Sequence, residues 1–139
     1  MKKLAIVVFI FIVLLGCVNT NTQFSLLDYF SGEYTVYTSQ SGGENSVDLG
    51  FCYMNSKPVS ENVVGESMII NNLEVGSALT TLNARVVKTE YLEDGTTVIY
   101  AHTNKISEQV QVDGKNVNLQ IANKGERFVI GWPLILGSY

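Results

Sequence analysis

Histidine and tryptophan each occur once in these 139 residues, and cysteine and proline twice each. A zinc centre needs three or four converging His, Cys or carboxylate ligands, and the chain offers the single imidazole of His102 with neither a Cys-x-x-Cys nor a His pair. A Ser-His-Asp arrangement would also have to use His102, and no Gly-x-Ser-x-Gly turn is present to expose a nucleophile; Gly65-Glu66-Ser67 resembles one only superficially. Gly42-Gly43 lacks the Lys and Ser/Thr spacing of a phosphate loop. Basic residues are also few, nine against thirteen acidic ones, for a formal charge of −4. A chain of that sign repels phosphate polyanions, so nucleic acid is not an expected partner. No catalytic residue, cofactor or metal is expected from these residues.

What is present begins at the amino terminus. Lys2 and Lys3 precede an apolar run, Leu4 to Leu15, that contains no charged or polar side chain. This is the pattern of a signal peptide, and the run falls short of the roughly 20 residues a membrane-spanning helix requires. Leu14-Leu15-Gly16-Cys17 then resembles the lipobox of bacterial lipoproteins. The resemblance implies a diacylglycerol on the Cys17 thiol and cleavage between Gly16 and Cys17. Two acyl chains would anchor the protein to a membrane outside the cytoplasm. Residues 1–16 are thus expected to be a leader, 17–23 a lipidated tether and 24–139 one globular domain. Loss of the leader removes two basic residues and no acidic one, which makes the mature chain more acidic still. With Cys17 acylated, Cys52 has no disulfide partner, and its apolar neighbours Phe51 and Tyr53 predict a small buried core residue.

Periodicity along the rest of the chain predicts an α+β fold. Phe24 to Phe30 reads as a short helix ending at Gly32. Tyr34 to Thr38 and Val47 to Met54 read as a hairpin, and Val63 to Ile70 as a further strand. Asn71 with Glu74 three residues on forms a capping-box pattern, and Val75, Ala78, Leu79 and Leu82 make one apolar stripe, so the main helix is expected over about 72–83. Asp94-Gly95 and Asp113-Gly114 predict tight hairpins, the first between 85–92 and 96–103, the second between 108–112 and 116–122. A strand at 127–130 follows, and Pro133 predicts that the closing 134–136 segment is an edge strand or is bulged. The expected architecture is a two-layer antiparallel sheet of about six or seven strands packed by that helix.

Among the remaining side chains, Tyr34 and Tyr37 fall on opposite faces of their strand, which leaves one available to solvent. Trp132, between Gly131 and Pro133, is a second candidate for exposure, although a lone Trp in a small domain is more often core, so Tyr37 and Trp132 are the candidate interaction residues. His102, in the alternating set Val98, Tyr100, His102, is expected as a polar residue at a strand end. Glu90, Glu93 and Asp94 cluster about a turn, where carboxylates usually solvate the tip; a hydrolytic pair would need a separation that only the fold can set.

Val117-Asn118-Leu119-Gln120-Ile121-Ala122 followed by Gly131-Trp132-Pro133-Leu134-Ile135 resembles the carboxyl-terminal part of the YwmB family, exported proteins of spore-forming Gram-positive bacteria. The resemblance implies export and a fold like that of TATA-box-binding proteins without DNA binding, and it carries no catalytic residue. The expectation is a membrane-anchored, non-enzymatic module that binds a cell-envelope protein. The alternatives are an envelope carbohydrate-binding module or carboxylate hydrolase, and an inhibitor or immunity lipoprotein. Oligomeric state is not legible in these patterns.

Overall fold

The computed structural model describes residues 23–39, 47–52 and 63–135, so the expected leader, Cys17 and all of the tether but Gln23 lie outside the described residues. A 3₁₀ turn at Leu26–Asp28 leads into β1 (Glu33–Ser39), β2 (Val47–Cys52) and β3 (Val63–Asn71). Helix α1 (Val75–Thr81) follows, then β4 (Ala84–Tyr91), β5 (Thr97–Thr103), β6 (Val110–Val112), β7 (Lys115–Val117), β8 (Leu119–Asn123) and β9 (Arg127–Trp132). Seven strands form one antiparallel sheet in the order β2-β1-β3-β9-β8-β5-β4, and β6 and β7 form a separate two-stranded ribbon. The fold is broadly α+β and mostly sheet.

The short turns explain the local pairings. Gly95 and the Asp113-Gly114 pair all have positive φ, the conformation a tight hairpin demands and glycine or Asp accepts most easily. The central pairing is not local, because β9 inserts between β3 and β8 and joins the amino-terminal strands to the carboxyl-terminal ones. Its register sets a row of apolar side chains across one face, Tyr34–Met68–Ile130–Ile121–Ile99. Leu26, Leu82, Ile106 and Leu119 join that row in the main core, while Leu73, Val75 and Leu79 pack on it partly buried. On the opposite face Ala122, Val129 and Ile135 form a smaller cluster against Ile69.

Three local expectations are corrected. The helix spans seven residues rather than twelve, because Asn71 still pairs with Arg127 in the sheet and Asn72 turns left-handed at φ 56. Glu74 is therefore the N-cap itself, its carboxylate accepting from Gly76 N at 3.0 Å and Ser77 N at 2.5 Å, and hydrogen bonding, first from the Ser77 side chain and then from these two N–H groups, holds its pKa below the usual range. The predicted apolar stripe is nonetheless the face that packs, with Ala78 and Leu82 buried. Phe24 to Phe30 contains a single 3₁₀ turn, capped by Ser25, whose hydroxyl accepts from Leu27 N. Finally, β9 is central and runs through Trp132, and Leu134 and Ile135 add no strand. Pro133 comes after the last ladder position, where a missing N–H costs no sheet bond.

Asn118 interrupts the strand expected over 116–122. It is fully buried, and its side chain accepts from Thr103 N at 2.8 Å and donates to Thr103 O at 2.8 Å and Ile106 O at 2.9 Å. The amide thus replaces a stretch of backbone ladder where β5 leaves the sheet, which separates β7 from β8 and seats Ile106 in the core.

Candidate functional site

β3 reads Val-Val-Gly-Glu-Ser-Met-Ile-Ile-Asn, and its one charged residue, Glu66, shares the strand phase of Met68 and so points into the core. The carboxylate is 1 % exposed. Oε2 accepts from Ser25 Oγ at 3.0 Å and from Leu26 N at 3.2 Å, and Oε1 accepts from Trp132 Nε1 at 3.1 Å. Tyr34 directs its hydroxyl at the same group. Burial raises the pKa of Glu66, and the bonds from Tyr34, Ser25, Leu26 N and Trp132 partly offset that rise. Tyr34 is likewise pushed far up, first by burial and then by the adjacent carboxylate.

This cluster draws in one of the two candidate interaction residues. Trp132 is fully buried, with its indole N–H committed to Glu66, so the bracketing Gly131 and Pro133 do not expose it. Tyr37 is 4 % exposed, and its hydroxyl lies 3.4 Å from Ser67 Oγ on the opposite face. Neither aromatic is a free contact surface, because both faces of the sheet are covered where they stand. The environment of the Cys52 thiol lies outside the described side chains.

Sequence reasoning passed over Glu66, although a signal was present: a lone charge in the buried phase of an otherwise apolar strand must find donors inside the fold. Its partners could not be read, since Ser25 and Trp132 are 41 and 66 residues away.

Elsewhere two carboxylates, Glu90 and Asp113, share one lysine. Lys88 Nζ donates to Glu90 Oε1 at 2.9 Å and Asp113 Oδ2 at 2.6 Å, and Tyr100 donates to Glu90 Oε2 at 2.9 Å. The lysine holds both carboxyls below their ordinary range, and they in turn raise its own pKa. Glycoside hydrolysis by general acid catalysis needs one carboxyl kept protonated beside an open cleft. Glu90 and Asp113 are pushed the wrong way, and Glu66, raised as an acid should be, is sealed from substrate.

His102 lies on β5 opposite Arg85 of β4. With Asn83, Ala84 and Asn104 the two line a shallow, open depression of about 270 Å³ at the end of the β4–β5 hairpin away from its turn. Among the described residues no group of three His, Cys, Asp or Glu converges to hold a metal, and no helix is long and apolar enough to cross a membrane. Comparison with known proteins finds no matching family model, no matching curated protein and no matching solved structure.

Proposed function

We propose that this chain is a lipid-anchored, extracytoplasmic protein of a bacterial envelope whose folded part is a non-enzymatic binding or assembly module. The observation that carries the reading is the coincidence of Lys2-Lys3, the uncharged run Leu4 to Leu15, the small Gly16 and Cys17. Each step in lipoprotein maturation needs one of these: a basic start for orientation, an apolar run for insertion, a small residue at the cut and a thiol for the lipid. The non-enzymatic part is supported by the state of three carboxylates, one enclosed by donors and two ion-paired with Lys88. Kinship with the YwmB family, through residues 117–122 and 131–135, belongs to the same proposal and is to be tested by aligning homologues.

Intact-mass measurement on the membrane fraction of expressing bacteria tests the anchoring. The expected species begins at Cys17 and carries acyl mass, and Cys17→Ala moves the protein out of the lipid-bound fraction. A protein that retains Met1 and lacks acyl mass overturns the proposal.

A further inference from the structure

The first described residues lie against a concentration of rings. Phe24 stacks on Tyr29 with centroids 5.5 Å apart and meets Trp132 edge-on at 5.9 Å, and Tyr29 lies 6.4 Å from Phe30. Lys105, exposed in the loop after β5, holds its ammonium 5.6 Å from the Tyr29 ring centre. Trp132 is enclosed, Phe24 and Phe30 are half-buried, and Tyr29 is 36 % exposed. Arg85 and His102 line the depression beside Asn104, the neighbour of Lys105 in the chain. The far end of the same hairpin carries Glu90, Glu93 and Asp94, about 20 Å away along β4 at 3.3 Å per residue. Asp28 shares the turn with Tyr29, so the rings supply the contact and the basic groups orient it.

We propose that this aromatic end sits in the headgroup layer of the bilayer that holds the Cys17 lipid, with Lys105 toward lipid phosphates and the acidic β4–β5 turn facing away. The proposal rests on the anchoring reading above. Phe24 follows Cys17 by seven residues, so whatever path the tether takes, at most about 25 Å of chain separates the ring from the lipid attachment point. The patch cannot leave the neighbourhood of the membrane. Rings that are apolar at one end and wet at the other favour the headgroup level, and a lysine stem can lie along apolar surface with its charge in water. Orientation of the anchored domain follows, and with it the surface offered to other envelope components.

Trp132 is the only tryptophan and touches Phe24, so its fluorescence reports on this end. The acylated full chain is placed on phosphatidylcholine–phosphatidylglycerol vesicles containing lipid spin-labelled at the headgroup. Quenching of Trp132 is expected, and Tyr29→Ser combined with Lys105→Ser should reduce it about threefold at equal bound protein, as loss of an interfacial ring and cation implies. Glu93→Gln with Asp94→Asn should leave it unchanged. Unshifted Trp132 emission before vesicles are added verifies the fold of each variant, and Lys105→Ser alone repeats the test without altering a ring. With acyl mass present on Cys17, quenching that is absent or indifferent to these changes overturns this proposal alone, as does cross-linking of Lys105 to a protein in place of lipid. Absence of acyl mass overturns both readings.

Discussion

Glu66 combines complete burial with a set of donors that all require an acceptor. Trp132 Nε1, Leu26 N and the Ser25 hydroxyl would each be stranded without it, at about 1–3 kcal/mol per unsatisfied group, so Glu66→Ala should destabilise the protein by about 3–5 kcal/mol in urea unfolding. The pH dependence has a definite sign. A carboxyl whose folded pKa lies above its ordinary value of 4.5 binds protons more tightly folded than unfolded. Its contribution to stability therefore grows as pH falls from above the raised value toward the ordinary one, and is lost as pH rises through it. Glu66→Gln removes that titration, so the stability difference between wild type and variant should shift in favour of wild type as pH is lowered toward the ordinary value. Urea midpoints of both proteins across that window measure it; parallel curves would show that Glu66 does not titrate there. Subtracting the variant cancels the exposed carboxyls Glu74, Glu90, Asp94 and Asp113, whose lowered values act in the opposite sense at more acid pH.

At the scale of elements, the segments between strands depend on single polar side chains and single close approaches. Asn118 holds the exit of β5 through three bonds, and Asn118→Ala should cost about 3 kcal/mol by leaving buried backbone groups unpaired. Asn118→Asp should fare no better, since a carboxylate cannot donate to Thr103 O and Ile106 O. Equilibrium denaturation checks both variants, and a loss under 1 kcal/mol would refute the bracing role assigned to this amide. Gly131 serves the other face, where Ile135 returns over the sheet and its N–H bonds Gln120 Oε1 at 2.8 Å. A Cβ at Gly131 would lie 3.0 Å from Ile135 Cγ1 and 3.2 Å from Glu66 O. Gly131→Ala should therefore cost about 1–3 kcal/mol and speed hydrogen exchange at the Ile135 amide, the overpacking being relieved by lifting that segment. The turn glycine Gly95 has no neighbour within 4 Å, so its requirement comes from φ 85 alone.

For the whole molecule, β2 and β4 are the two edges of the sheet among the described residues. β4 is eight residues long and exposes Val86 at 49 %, a combination that invites pairing with another strand. Its register shifts between Val86 and Lys88, and Lys88 places a charge at mid-strand, two features that discourage such pairing. Lys88→Val should therefore promote self-association, visible as a concentration-dependent rise in sedimentation coefficient. A variant that sediments like wild type would mean that the bulge alone protects the edge.

The extent to which this architecture was legible follows distance along the chain. Hairpins around Asp94-Gly95 and Asp113-Gly114 and the apolar stripe of α1 depend on neighbours within a few residues, and the patterns placed them correctly. The start of α1 was misplaced because Asn71 is a good cap whose backbone the sheet had already engaged through Arg127. Tyr37 and Trp132 fail as contact candidates, Trp132 taking the core position usual for a lone Trp, because a ring's exposure depends on what covers it, and neither the segment at Ser25 nor the return of Ile135 has a local signature.

The sequence by itself determined the mostly antiparallel α+β class, the turns, the scarcity of metal-binding and nucleophilic residues, and the pattern at Cys17 on which the anchoring proposal stands. These are properties of composition and short-range spacing, in which each residue's preference is expressed by its immediate neighbours. Only the tertiary structure decided that β9 lies between β3 and β8, that Glu66 is the polar centre of the core, and that Phe24, Tyr29 and Lys105 share one end. Such juxtapositions join groups tens of residues apart, and the free energy that selects them is that of the assembled core rather than of any segment within it.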